Sequence, residues 1–139
     1  MIQIISGNKG KGKTKILLEQ ANKAVKEKDG SIVYLDKSIN HMYELNNRIR
    51  LINVLDYHID SKERFFGFIS GIIASDHDLE QVYLDSFLKL ARIEADEIEE
   101  VIDFLNFIGS KNQVTFILSV SADECDLPES VRKYVTVSL

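Results

Sequence analysis

The chain has 139 residues, of which 45% are hydrophobic and 28% charged, and its formal net charge is -5. These values are typical of one globular domain and argue against a general binder of nucleic acid or of anionic membrane surfaces. The single cysteine excludes an intrachain disulfide. With no signal-peptide pattern and no apolar stretch long enough to cross a bilayer, the sequence predicts a cytoplasmic protein.

Apolar runs predict strands that are separated by helices. The first strand covers residues 2–5, and a short extra strand is predicted at residues 50–54. The other strands are predicted at residues 32–36, 81–85, 114–118 and 134–137. Strands that alternate with helices favour a parallel sheet with helices on both faces. We therefore predict one α/β domain over residues 1–139, in which a mostly parallel five-stranded sheet lies between two helix layers.

Three helices are predicted from apolar residues at helical spacing. The first follows residue 14 and is expected to stop at Gly30. The second is predicted to open at a capping box of Asp60 and Glu63. The third has an acidic start at Asp96 and is predicted to stop at Gly109.

A glycine- and lysine-rich segment between the first strand and the first helix fits the phosphate-binding pattern Gly-x-x-x-x-Gly-Lys-Thr. Its residues are Gly7, Asn8, Lys9, Gly10, Lys11, Gly12, Lys13 and Thr14. Glycines allow the backbone amides of such a loop to turn inward towards phosphate oxygens. Lys13 is predicted to contact the β- and γ-phosphates and Thr14 to offer its hydroxyl to Mg²⁺. The segment predicts binding of a nucleoside triphosphate, and its lysines predict a positive funnel for a polyphosphate.

An aspartate at the end of a later strand completes the predicted metal site. Asp85 follows the apolar run Val82-Tyr83-Leu84, and an aspartate in this position holds Mg²⁺ in many phosphate-loop proteins. Asp36, at the end of the second strand, is the second candidate.

Together these two segments resemble the P-loop NTPases, and within them the RecA-like branch. The resemblance rests on residues 7–14 and on residues 82–86, and it extends over most of the chain in element order. It implies the strand order 5-1-4-3-2. It also implies a polar side chain at the end of the fourth strand, where Ser119 and Ser121 stand.

The chain departs from this family at the catalytic glutamate. Many members carry a glutamate directly after the metal-site aspartate, and RecA takes one from just after strand two; this chain has Ser86 and Ser38 at those positions. Glu44 and Asp56 are candidate bases by loose position only, and Ser119 is a third catalytic candidate. We therefore expect slow or partner-dependent hydrolysis.

Nothing in the sequence selects an arginine to stabilise a phosphoryl-transfer transition state. The candidates are Arg48, Arg50, Arg64, Arg92 and Arg132.

The function expected from these motifs is binding of ATP with Mg²⁺. ATP is favoured over GTP because the guanine-specifying Asn-Lys-x-Asp pattern is absent. The sequence also allows for a protein partner or a homo-oligomer, and it does not select between the two. Two alternatives remain: a nucleotide-dependent binding module without hydrolysis, and a small-molecule transferase. For the latter, the loop looks like that of the ATP:cob(I)alamin adenosyltransferases, although that family continues with a second threonine where this chain has Lys15.

Overall fold

The computed structural model describes residues 1–139, which form an α/β fold around one sheet. All strand pairings are parallel. The strands are Ile2–Ser6 (β1), Ser31–Asp36 (β2), Ile49–Asn53 (β3), Leu79–Leu84 (β4), Thr115–Val120 (β5) and Val135–Ser138 (β6). The helices are Lys13–Glu27 (α1), Lys62–Ala74 (α2), Phe87–Leu90 (α3), Ile98–Asn112 (α4) and Glu129–Arg132 (α5).

Two apolar clusters cover the two faces of the sheet. The smaller contains twelve buried residues and packs α1 against one face, with Leu17 and Ala21 lying beside Tyr34 and Ile117. The larger contains 25 buried residues and packs α2 and α4 against the other face. Apolar side chains on both sides of the strands explain why the strand sequences are continuous hydrophobic runs.

The sheet has six strands in the order β3-β2-β4-β5-β1-β6. The predicted number of strands, five, is therefore wrong. The predicted order 5-1-4-3-2 differs as well, because a sixth strand is added to the sheet and the later strands are renumbered. The difference is β3, which pairs only with β2 and forms one edge of the sheet. Its sequence contains Arg50 and ends at Asn53, so its apolar signal is weaker than that of the central strands.

Three predicted helix boundaries are also corrected. Ser61, rather than Asp60, caps α2, because the Ser61 hydroxyl accepts a hydrogen bond from the Arg64 amide at 3.2 Å. The helix α4 continues past Gly109 to Asn112. A side chain does not fit at Gly109, because a Cβ there would lie 2.7 Å from the Val114 carbonyl oxygen. The helix α1 ends at Glu27, before Gly30.

The parallel sheet brings the functional segments to one edge. β1, β2, β4 and β5 all end at this carboxyl edge, and residues 7–14, 37, 85–86 and 121 follow directly. None of the helices has the length and apolar character that crossing a membrane requires.

Candidate functional site

The loop between β1 and α1 has the backbone of a phosphate cradle. Gly10 and Gly12 have φ values of 87° and 93°, which only glycine adopts without strain. The backbone amides of Lys9, Gly10 and Gly12 donate no hydrogen bond within the protein. The free amides of the first turn of α1 lie at the same place, where the helix dipole is positive. This geometry suits an anion.

Lys13 is held inside this loop. Its side chain is buried, and its Nζ donates hydrogen bonds to the carbonyl oxygens of Gly7 at 2.7 Å and Asn8 at 3.2 Å. Burial lowers the pKa of the Lys13 ammonium below its usual value, while the Asp85 carboxylate acts in the opposite direction. Lys13 thus contributes a partly desolvated positive charge at the centre of the loop.

Asp85 lies just beyond β4 and accepts three hydrogen bonds from side-chain hydroxyls. Its Oδ1 accepts from Thr14 at 3.2 Å and from Ser119 at 2.9 Å, and its Oδ2 accepts from Tyr34 at 3.1 Å. The carboxylate is 4% exposed. Oxygen ligands of this kind, a carboxylate beside a threonine hydroxyl at the start of a helix, are those that Mg²⁺ prefers in proteins.

Tyr34 was missing from the sequence analysis as a site residue. Its ring is buried and stacks on Tyr83, with ring centroids 6.0 Å apart. Burial raises the pKa of the Tyr34 phenol, and the Asp85 charge adds to this effect. The phenol therefore stays protonated and acts as a fixed donor to Asp85. A continuous apolar strand gives no signal for such a role, because Tyr34 looks like any core residue.

The second metal candidate, Asp36, has different surroundings. It is 3% exposed, and its Oδ1 accepts a hydrogen bond from the Lys37 amide at 2.7 Å, but its buried Oδ2 has no partner. Burial raises the pKa of the Asp36 carboxyl, although the Lys37 amide lowers it in part. Asp36 does not line the cleft described next.

A cleft of about 350 Å³ joins the loop to the ends of β4 and β5. Its lining is polar apart from Leu88. The lining residues are Lys9, Gly10, Gly12, Lys13, Thr14, Lys37, Asp85, Ser86, Leu88, Lys89, Ser119 and Ser121. Of the eight predicted residues 7–14, five line the cleft. The other three, Gly7, Asn8 and Lys11, belong to the same loop. Asp85 and Ser119 also line the cleft.

The predicted bases Glu44 and Asp56 do not line the cleft. Glu44 is exposed and its carboxylate lies 2.6 Å from Nδ1 of His41. Asp56 is exposed in a 3₁₀ turn that follows β3. Ser119 does line it, but its hydroxyl is engaged with Asp85 and accepts a hydrogen bond from the Ser86 amide at 2.7 Å. No carboxylate other than Asp85 lines the cleft.

None of the five candidate arginines lines the cleft. Arg48, Arg92 and Arg132 donate to the backbone carbonyls of Val25, Ile59 and Leu127, respectively. Arg64 pairs with Asp60 at 3.3 Å, and Arg50 lines a separate groove between β2, β3 and α2.

Ser86 lies directly after Asp85, at the turn that follows β4. Its backbone is left-handed, with φ 58° and ψ 53°, which is unusual for a residue other than glycine. This turn directs the chain from β4 into the short helix α3 and brings Lys89 to the cleft.

Comparisons with known proteins give likenesses among solved structures only. No protein-family model matches the sequence, and no curated protein matches it. Among solved structures, the fold is similar to that of the flagellar accessory protein FlaH from Methanocaldococcus jannaschii, with a TM-score of 0.58 and 17% sequence identity. The match covers 95% of this chain and 65% of the FlaH chain. At this identity the likeness shows the fold alone, an α/β fold built on a parallel sheet.

Proposed function

We propose that this protein binds a nucleoside triphosphate, ATP with Mg²⁺, at residues 7–14. The observation that carries the proposal is the contact between the two halves of the site. Thr14 of the loop donates to Asp85 at the end of β4, and Lys13 is buried beside them. A loop of free amides, a buried ammonium and a hydroxyl–carboxylate pair are three features that one Mg²⁺–triphosphate would use together.

Each residue has a distinct task in this proposal. The amides of Lys9, Gly10 and Gly12 and those of the first turn of α1 bind the phosphate oxygens. The Lys13 ammonium exchanges its carbonyl partners for oxygens of the terminal phosphates. Thr14 and Asp85 hold Mg²⁺, which neutralises charge on the phosphates, and Tyr34 and Ser119 keep the Asp85 carboxylate in place.

Hydrolysis is proposed to be slow in the isolated protein. In-line attack on the γ-phosphate requires a positioned water and stabilisation of the developing charge. Glu44, Asp56 and the five arginines lie outside the cleft, and a serine hydroxyl such as that of Ser86 is a poor proton acceptor near neutral pH. A partner or a second copy of the chain would have to supply the missing groups.

The test is titration calorimetry of the protein with ATP in the presence of Mg²⁺. Lys13→Ala removes a charge-assisted hydrogen bond, so we expect ATP affinity to fall by about tenfold to a hundredfold. Lys15→Ala is the matched control, because Lys15 is exposed two residues further along α1 and does not line the cleft. Unchanged affinity in a folded Lys13→Ala variant, or an equal loss in both variants, would show that the site is assigned wrongly. Parallel titrations with GTP and the diphosphates test the preference for ATP.

A further inference from the structure

The cleft carries more positive charge than a phosphate loop contributes. Four lysines line it against one carboxylate, that of Asp85, although the chain as a whole has a net charge of -5. Lys13 belongs to the loop site. The other three come from separate segments: Lys9 from the loop, Lys37 from the residue after β2, and Lys89 from α3.

These three lysines face each other without an acidic partner. All are exposed, and none takes part in an ion pair of the structure. The charges of Lys37 and then of Lys9 lower the pKa of the Lys89 ammonium, which shows that the side chains are close enough to repel one another. Such repulsion is relieved when an anion lies between the ammonium groups.

Two of these lysines, Lys37 and Lys89, come from segments outside the phosphate loop. The strand order places β5 and β4 between β1 and β2, so Lys37 follows a strand about 14 Å from the strand that leads into the loop. The Lys37 Nζ lies 3.3 Å from the Ser86 hydroxyl, directly after Asp85. Lys37 and Lys89 thus lie over the ends of β2 and β4, beyond Asp85, and Lys9 lines the same cleft from the loop after β1.

This is the side from which an acceptor would approach. In phosphoryl transfer the attacking and leaving oxygens are roughly in line through the transferred phosphorus. The loop after β1 would hold the phosphates on the leaving side, so the attacking group would enter over β4 and β2. A triphosphate also has its own partners in the amides, Lys13 and the metal ligands.

We propose that Lys9, Lys37 and Lys89 form a second anion subsite, which binds the phosphate group of a small phosphorylated ligand beside the terminal phosphate of the bound nucleotide. The inference rests on the proposed function, because the loop has to hold the nucleotide. It identifies the substrate class as a phosphate-bearing acceptor instead of water or a neutral alcohol.

The experiment is calorimetry in two steps at one fixed salt concentration. The protein is first saturated with Mg²⁺ and the β,γ-imido analogue of ATP, and inorganic phosphate is then titrated as the probe. We expect phosphate to bind the loaded wild-type protein. In Lys37→Gln and in Lys89→Gln, phosphate affinity should fall by about tenfold or more, and nucleotide affinity by a smaller factor. Lys111→Gln is the matched control, since Lys111 is an exposed lysine of α4 outside the cleft.

Each other outcome would overturn the proposal in a recognisable way. If phosphate binds only before the nucleotide is added, its site is the loop itself. If nucleotide affinity falls as much as phosphate affinity in the variants, the lysines hold the terminal phosphate of the nucleotide. Binding of a short single-stranded oligonucleotide without binding of phosphate would indicate a nucleic-acid surface. Absence of nucleotide binding in the first step would instead overturn the proposed function, before phosphate is tested.

Discussion

Two neighbouring strands of the sheet, β4 and β2, end in a buried aspartate, but the two carboxylates are held differently. Asp85 after β4 accepts hydrogen bonds from Thr14, Ser119 and Tyr34 and lines the cleft. Asp36 at the end of β2 accepts one from the amide of the next residue, keeps one oxygen without a partner, and does not line the cleft. The register of the two strands places them side by side, since Leu35 pairs with Leu84 just before them.

This difference indicates which carboxylate can serve a metal. Three donors fix the orientation of the Asp85 carboxylate, and they leave it facing the phosphate loop. Asp36 has lost water without gaining comparable donors, so burial raises its pKa. Similar sequence positions at strand ends thus have different chemistry, and the deciding factor is the hydroxyl groups contributed by other elements.

The cleft has no free base, because Asp85 is engaged by three hydroxyl groups and Asp36 does not line it. The largest predicted effect is therefore on the rate of ATP hydrolysis. We expect the isolated protein to release phosphate from ATP at least about a hundredfold more slowly than the common enzyme median of about 10 s⁻¹. A phosphate-release assay on pure protein, with Lys13→Ala as the background control, measures this rate. Turnover of tens per second by the monomer would mean that a carboxylate such as Asp36, Glu44 or Asp56 reaches the cleft.

Removing a hydroxyl group that donates to Asp85 should have a smaller effect, on the Mg²⁺-dependent part of ATP affinity. Tyr34→Phe removes one donor to the Asp85 carboxylate and keeps the stacked ring, so we expect the Mg²⁺-dependent part of ATP affinity to fall by about fivefold to tenfold. Tyr83→Phe is the matched control, because the Tyr83 hydroxyl donates to Gln81 at 2.7 Å and does not contact Asp85. ATP titrations with Mg²⁺ and with a chelator measure the difference. Equal behaviour of the two variants would show that Tyr34 has only a packing role.

The raised pKa of Asp36 predicts the smallest effect, on stability. A carboxyl whose folded pKa exceeds its unfolded value binds more protons in the folded state, so its contribution to stability decreases as pH rises through that interval. The interval starts near the ordinary aspartate value of about 3.9 and ends at the raised folded value. Asp36→Asn should remove this decrease, which urea unfolding of both proteins across acidic pH would detect. Parallel pH profiles for the two proteins would contradict the assigned pKa shift.

The sequence was informative where one residue type is required by local chemistry. Residues 7–14 and Asp85 are predicted as site residues because a phosphate loop needs glycines, a lysine and a hydroxyl at fixed spacing, and because an aspartate follows an apolar strand. The alternating strands and helices likewise indicated the parallel α/β fold. The edge strand β3 was only a short extra strand in that prediction, since edge strands need fewer apolar residues.

Other parts of the site depend on tertiary placement and have no local signal. Tyr34 resembles a core residue, and its role follows only from the neighbouring position of β4. Lys37 and Lys89 are 52 positions apart in the chain and meet because α3 follows the left-handed turn at Ser86. Glu44 and Asp56 were selected by position after β2 and β3, and their turns place them outside the cleft.

The central claim is that Asp85, and not Asp36, supports the metal of a bound triphosphate. The most direct test is to measure ATP affinity with and without Mg²⁺ for Asp85→Asn and Asp36→Asn side by side. We expect Asp85→Asn to reduce the Mg²⁺-dependent gain in affinity by about tenfold or more, with a smaller effect on metal-free binding, because its carboxylate acts on the cation. Asp36→Asn should retain that gain. An equal loss with and without Mg²⁺ in Asp85→Asn, or loss of the gain in Asp36→Asn, would contradict the assignment.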